Sequence, residues 1–337
     1  MPKQIKKTTY SDIAHLSGVS LATISRILTN STSVKAETKQ KVLDAMKKLG
    51  YNTADYFKES KEAVRGLIIF NIPTLDNPFY GLIIQGAKAS AARHRYNLLI
   101  NENHITEKTA DGFLDLLKHT KAAGLILANH IETSLLCKIN SALPLVQCCE
   151  CNKIPSVPFV TIDDISAAHS AVNHILSLGK KNIAFINGPI QYKYAKDRLA
   201  GYIEALENGG KTVDPALIIQ LQEINYDMAL SAALQLMHSP NRPDAFFTAS
   251  DVYAAAVIKA AQQAGLRVPQ DIAIVGFDNV EISAMCNPSI TTINQPRFQM
   301  GFLSCEMLVN RILGNDIPIQ NLYLETELIV RNSTANV

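Results

Sequence analysis

No stretch of these 337 residues approaches the roughly 20 consecutive apolar residues that a membrane span needs. Lys3, Lys6 and Lys7 lead into a polar segment, not an apolar run, so a secretory signal is not expected. A second C-x-x-C to pair with that of Cys148 and Cys151 is missing as well. Four of the six cysteines (Cys137, Cys148, Cys149 and Cys151) fall close together, but Cys148 and Cys149 are adjacent. That spacing argues against a zinc site and for free thiols in a reducing, cytoplasmic setting. No G-x-G-x-x-G occurs, and Gly210-Lys211-Thr212 has Ala205 where a phosphate loop needs its first glycine. With no nucleophile motif, metal cluster or phosphate loop, the chain is not expected to be an enzyme, and no metal or cofactor is called for. The segment from Val330 to Val337 lacks leucine heptads, so no tetramer-forming coil is expected.

What is present is a globular composition, 47% hydrophobic and 18% charged, in a chain long enough for more than one domain. The near-neutral total hides an asymmetry. Residues 1–61 hold 11 Lys and Arg against 5 Asp and Glu, a net of +6, while the remainder holds 21 against 25, a net of −4. A basic end is the electrostatic footprint of phosphate binding. Within it two short helical patterns meet at Ser17-Gly18-Val19. Thr9 and Asp12 have capping-box spacing, Ile13, Ala14 and Leu16 form an apolar face, and Gly18 permits a tight turn. Ser20 is a good N-cap for the second helix, which exposes Leu21, Ala22, Ser25 and Arg26. Arg26 suits a bidentate grip on guanine, and Leu21 and Ala22 suit thymine methyls. An ordinary helical hairpin with a solvated arginine has the same spacing, but it would not explain why the basic excess coincides with it. A third helix, roughly Ala36 to Leu49, closes a small core with Val42, Leu43, Met46 and Leu49.

After the polar stretch 52–62, apolar runs suited to strands alternate with helix-length segments. The runs are Gly66–Phe70, Asn97–Ile100, Gly124–Leu127, Leu145–Cys148, Asn182–Ile186, Ala245–Thr248 and Ile272–Phe277. The helical segments include Phe79–His94, Ser166–Leu178, Arg198–Asn208 and Val252–Ala264. This order predicts parallel sheets flanked by helices, in two doubly wound lobes. The pattern Met300–Leu313 suits core or a dimer face.

Ser11-Asp12-Ile13-Ala14, Gly18-Val19-Ser20, Thr23-Ile24-Ser25-Arg26, Glu37-Thr38 and Leu49-Gly50-Tyr51 resemble the N-terminal domain of the lactose/galactose repressor family. Asn77-Pro78-Phe79-Tyr80, Thr161-Ile162-Asp163-Asp164, Arg198-Leu199-Ala200-Gly201-Tyr202, Gly276-Phe277-Asp278-Asn279 and Asn294-Gln295-Pro296 resemble its effector domain. The likeness is nearest to the cytidine, purine and ribose repressor branch. It implies an α/β protein with an all-α helix-turn-helix head (1–51), a hinge (52–62) and a two-lobed, periplasmic-binding-protein-like effector and dimerisation domain (63–337). Lobe 1 is implied at about 63–162 and 293–322, and lobe 2 at about 163–292 and 323–337, with crossings near Asp163, Thr292 and Tyr323. Leu21 and Ala22 fall on the family's base-reading pair, and Thr9, Tyr10, Ser20, Thr23, Ser25, Arg26, Thr29 and Ser33 on or beside its other DNA contacts. In the hinge Ser60 stands where the family has a wedging leucine. An apolar wedge replaces lost base stacking, so Tyr56 or Phe57 must substitute, or the operator is bent little.

The resemblance further implies a homodimeric, cytoplasmic regulator of a palindromic duplex operator, controlled by a small molecule between the lobes. Polar residues following the apolar runs are candidates for that site: Asp76 and Asn77, Asn129 and His130, Ser250 and Asp251, and Asp278, with Arg198 opening a helix. By resemblance Arg198 and Asp278 form the principal hydroxyl- or base-binding pair and Phe79 an aromatic wall. Ile224 falls where purine-responsive members stack a phenylalanine, and Tyr192 and Tyr194 are placed to stack a base or to be loop tyrosines. A nucleoside or pentose is favoured over a hexose.

Overall fold

A computed structural model describes residues 14, 16–19, 36–48, 64–315 and 321–335. The chain divides into two compact units, Met1–Ala63 and Val64–Val337. In the first unit, the helical turn through Ser17 stops at Gly18. There φ is +67° and the N–H donates to the Ala14 carbonyl at 3.0 Å, the left-handed geometry for which glycine suits the turn. Helix α1 (Ala36–Lys48) buries Val42 and Ala45 and exposes Glu37 and Lys41, which pair at 3.0 Å one turn apart. Lys47 and Lys48 occupy its last turn, where cations complement the helix dipole. The candidate DNA-reading residues Thr9, Tyr10, Ser20, Leu21, Ala22, Thr23, Ser25, Arg26, Thr29 and Ser33 lie outside the described residues. So do Tyr56, Phe57 and Ser60 of the hinge.

The second unit holds two six-stranded sheets. Its first half runs β1 (Gly66–Ile72), α2 (Tyr80–Arg93), β2 (Tyr96–Glu102), α3 (Ala110–His119), β3 (Ala122–Leu127), α4 (Thr133–Ala142), β4 (Leu145–Cys148) and β5 (Phe159–Ile162). Then follow α5 (Asp164–Ser177), β6 (Ile183–Asn187), α6 (Lys193–Asn208), β7 (Ile218–Gln220), α7 (Tyr226–Met237), β8 (Ala245–Thr248), α8 (Asp251–Gln263) and β9 (Ala273–Asp278). The last elements are α9 (Glu281–Met285), β10 (Thr291–Asn294), α10 (Arg297–Ile312), β11 (Leu322–Leu324) and β12 (Glu327–Ile329). The strand orders are β11-β5-β4-β3-β1-β2 and β12-β10-β9-β8-β6-β7. Every neighbouring pair is parallel except β10 with β12. The expected two doubly wound lobes are therefore present. The chain passes between them after Ile162, after Asn294 and after Leu324. The last two passages fall slightly beyond Thr292 and Tyr323, because those residues still pair inside β10 and β11.

Strands such as β1 and β9 are buried on both faces, which is why they read as unbroken apolar runs. In the second sheet the apolar residues form a ladder of rings. Phe185 and Phe247 are cross-strand partners with centroids 4.8 Å apart, Phe247 meets Phe277 at 6.4 Å, and Tyr202 stacks on Phe185 from α6. The first sheet is covered by α2 and α10, whose backbones approach closely at Gly86 and Gly301. The Met300–Leu313 pattern thus belongs largely to the core: Met300, Ser304, Cys305, Leu308 and Val309 are buried on α10. Among the described residues no helix is long and apolar enough to cross a membrane.

Candidate effector-binding cleft

The two sheets present their carboxyl ends to a shared cleft. Asn77 and Phe79 follow β1, Glu150 follows β4 and Asp164 follows β5. From the other lobe come Arg198 on the helix after β6, Ile224 after β7, Ser250 after β8 and Asp278 at the end of β9. The space between them, including its open mouth, is about 480 Å³.

Arg198 is the centre of the cleft. Its guanidinium lies 3.5 Å from the ring centroid of Phe277, the last rung of the aromatic ladder, and 4.9 Å from that of Tyr194. Nε donates to the Asp164 carboxylate at 3.0 Å and Nη1 to the Ala249 carbonyl at 2.7 Å, with Asp278 at 3.7 Å. The ladder therefore fixes the height of the cation, and the hydrogen bonds fix its orientation. Asp197, beside Arg198 in the sequence, pairs instead with Lys193, at 2.8 Å. Lys193 also reaches Asp164 at 2.9 Å.

Asp278 has a φ of +104°, an unusual value for a side-chain-bearing residue, and accepts from Gln295 Nε2 at 2.7 Å. Burial pushes its carboxyl up to about 6, against the pull of Arg198, Arg297 and Gln295. Burial likewise pushes Glu150 up to about 7, although the backbone N–H groups of Lys193 and Tyr194 favour its charge.

Both raised carboxyls hold their protons more tightly in the folded chain than in the unfolded one. Their contribution to stability is therefore greatest at low pH and falls as pH rises through about 4 to 7. The histidines His130 and His174, shifted downward mainly by burial, act in the opposite sense. A comparison of variants isolates one group. The stability of Asp278→Asn relative to the parent should rise between pH 4 and 6, at up to about 1.4 kcal/mol per pH unit, and level off above. Urea unfolding at several pH values measures this; a constant difference would show that Asp278 does not titrate in that window.

Of the effector candidates read from the sequence, Phe79, Tyr194, Arg198, Ile224, Ser250 and Asp278 border this cavity. Asp76 and Tyr192 line a wider outer part of the cleft with Tyr194 and Ile224. Asn129 and His130 line neither. Asn129 is buried in a structural network, donating to the Asn103 carbonyl at 2.7 Å and accepting from Asn71, which ties together the ends of β1, β2 and β3. His130 meets the Tyr192 ring edge-on, at 6.3 Å. Ser250 caps α8, its hydroxyl accepting from the Tyr253 N–H at 3.3 Å. Sequence reasoning missed Glu150, and it treated Tyr80, Asp164 and Gln295 as landmarks only. Glu150 sits among the cysteines, where metal chemistry drew attention away from the carboxylate. Cys148 and Cys149 lie with their sulfurs 3.6 Å apart, and among the described residues no group of three or more potential ligands could hold a metal ion.

The sequence model described as bacterial regulatory proteins, lacI family, matches residues 9–54, and that of a periplasmic binding protein-like domain matches residues 172–334. The chain is 32% identical over 335 residues to the HTH-type transcriptional repressor CytR of Escherichia coli (strain K12), covering 98% of each chain. It is 32% identical over 334 residues to the HTH-type transcriptional regulator DegA of Bacillus subtilis (strain 168), again covering 98% of each. Among solved structures, the transcriptional regulator CelR–cellobiose complex superimposes with a TM-score of 0.73 at 27% identity, over 97% of this chain and 100% of that one.

Proposed function

Because the chain belongs to the lacI family of bacterial regulatory proteins, it is a DNA-binding transcriptional regulator with a ligand-binding domain, and we propose that a neutral, hydroxyl-rich effector seated against Arg198 sets its operator affinity. The observation that supports this reading is the clamped guanidinium of Arg198, held between two rings beside Asp278 where the two lobes face each other. Donors and acceptors are interleaved there with the aromatic surfaces of Phe79 and Tyr194. That combination suits a molecule with several hydroxyls and an apolar face, since each buried hydroxyl needs a partner. A nucleoside or pentose fits, with Tyr192 and Tyr194, stacked at 5.7 Å, as the platform for a base. A hexose is the alternative, and the cellobiose complex of a related regulator supports it. The effector shifts DNA affinity only by its different affinities for two arrangements of the lobes.

The reading extends to a cytoplasmic homodimer that places two heads on a palindromic operator. It has no catalytic step: the raised carboxyls at Asp278 and Glu150 serve in hydrogen bonds to Gln295 and to backbone N–H groups. Turnover of a bound nucleoside would overturn that part.

Gel-shift titration with duplexes from upstream of the protein's own gene tests the DNA arm. Binding should fall steeply with salt. Arg26→Ala and Leu21→Ala should each weaken it by about 1–3 kcal/mol, and binding that ignores salt or both substitutions would overturn the assignment. A thermal-shift screen of nucleosides, purine bases, pentoses and hexoses tests the effector arm. Ligand at about 100 times its Kd stabilises by about 2.7 kcal/mol, and a shift that survives both Arg198→Ala and Asp278→Ala would place the effector elsewhere.

A further inference from the structure

Glu150 does something in the cleft that the effector reading does not use. It extends from the end of β4 in the first lobe, and its two carboxylate oxygens accept the first backbone N–H groups of α6 in the second lobe. The Lys193 N–H donates at 2.8 Å and the Tyr194 N–H at 3.2 Å. The residue is 5% exposed and borders the cavity. The amino end of a sixteen-residue helix, aimed into a ligand cleft, is where a phosphate or carboxylate on a ligand would ordinarily be held. Here a side chain of the opposite lobe fills that position. The cations at the cavity are matched as well, Lys193 by Asp164 and Asp197 and Arg198 by Asp164.

We propose that Glu150 is a specificity-determining residue, a resident carboxyl that occupies the helix amino terminus and so restricts the effector to unphosphorylated, uncharged molecules. This deepens the effector reading above and rests on it for the location of the ligand. A nucleoside 5′-phosphate or sugar phosphate entering the cleft meets a filled anion position, no unmatched cation and the Asp164, Asp278 and Glu150 carboxyls. Its phosphate would lose its water shell without a replacement partner. A neutral polyol meets no such obstacle.

Hydrogen exchange at the Lys193 and Tyr194 amides of the full-length, ligand-free protein tests the proposal with inorganic phosphate as the probe, at constant ionic strength. In the parent, both amides should be protected and phosphate should change nothing. In Glu150→Ala, protection should fall by about tenfold or more, and phosphate should restore it. Glu150→Gln, which keeps the shape and loses the charge, should lose part of the protection and provides the readout if the alanine variant does not fold. Unchanged protection in both variants, or a parent that responds to phosphate as Glu150→Ala does, overturns the proposal. A parallel thermal-shift series pairs nucleosides and pentoses with their 5′-phosphates. Preference for a phosphorylated member in the parent also overturns it. Failure of every neutral compound, with the exchange result intact, would count against the effector reading alone.

Discussion

Arg198→Met should destabilise the second unit by about 3–5 kcal/mol, the usual cost of removing one partner of a buried ion pair, and should abolish the response to effector. The side chain is 4% exposed, so water cannot replace what the substitution removes. Asp164 loses one of its two cationic partners and keeps only Lys193, the Ala249 carbonyl loses its donor, and Asp278 loses the nearest cation. Methionine still fills the slot between Phe277 and Tyr194, so the loss reports charge and hydrogen bonding more than volume. For a unit of this size the penalty corresponds to a fall in Tm on the order of 10 °C. Adding Asp164→Asn should recover part of it, because the buried carboxylate left with Lys193 as its one cationic partner is then neutral. Calorimetry on the two single variants and the double variant reads the coupling. A loss below 1 kcal/mol, or strict additivity with Asp164→Asn, would mean that the guanidinium is not the counter-charge of this cleft.

The same residue shows how much was legible beforehand. Asp278 stands out in the sequence because a long apolar run ends beside it, whereas Arg198, twelve residues beyond its run, is marked by resemblance; such runs mark buried parallel strands whatever their neighbours. By that signal β1, β3, β4, β6, β8 and β9 were all readable, with ends within about two residues. The strands Ile218–Gln220, Leu322–Leu324 and Glu327–Ile329 were not, being three residues each and stabilised by pairing with a distant partner. The short helices Ala110–His119 and Thr133–Ala142 escaped for the same reason: their apolar faces are defined by the sheet they cover. Asn129 was misread because a polar residue after a strand can face the ligand or tie loops together. Only the positions of Asn71 and Asn103, brought in by neighbouring strands, decide which. Glu150 could not be read from sequence at all, since its partners are amides some forty residues away on the other lobe.

The second large effect concerns the support beneath the cleft. Helix α10 crosses α2 so closely that a Cβ on Gly301 would lie well inside 3.0 Å of the Ile83 carbonyl, and one on Gly86 would meet the Phe298 carbonyl in the same way. The obstacle is backbone on both sides, so no rotamer change relieves it and the helices must separate. Gly301→Val should therefore cost about 3 kcal/mol, at the upper end of the usual overpacking range, well beyond the few tenths that valine gains over glycine in helix propensity. Gly81→Val on α2 is the control: nothing lies within 4 Å of its Cβ, and its effect should stay within about 0.5 kcal/mol. The consequence reaches the cleft because α10 begins at Arg297, whose guanidinium donates to the Pro78 carbonyl at 3.4 Å and to the Asn279 carbonyl at 2.8 Å, one in each lobe. Parting α2 from α10 moves that arginine relative to Pro78, so Gly301→Val should also weaken effector binding, although Gly301 does not itself line the cavity. Urea unfolding of both variants, with effector titration on the folded fraction, separates these outcomes. Equal stability of the two valine variants would show that the helices can part without loss, and the cleft would then rest on some other support.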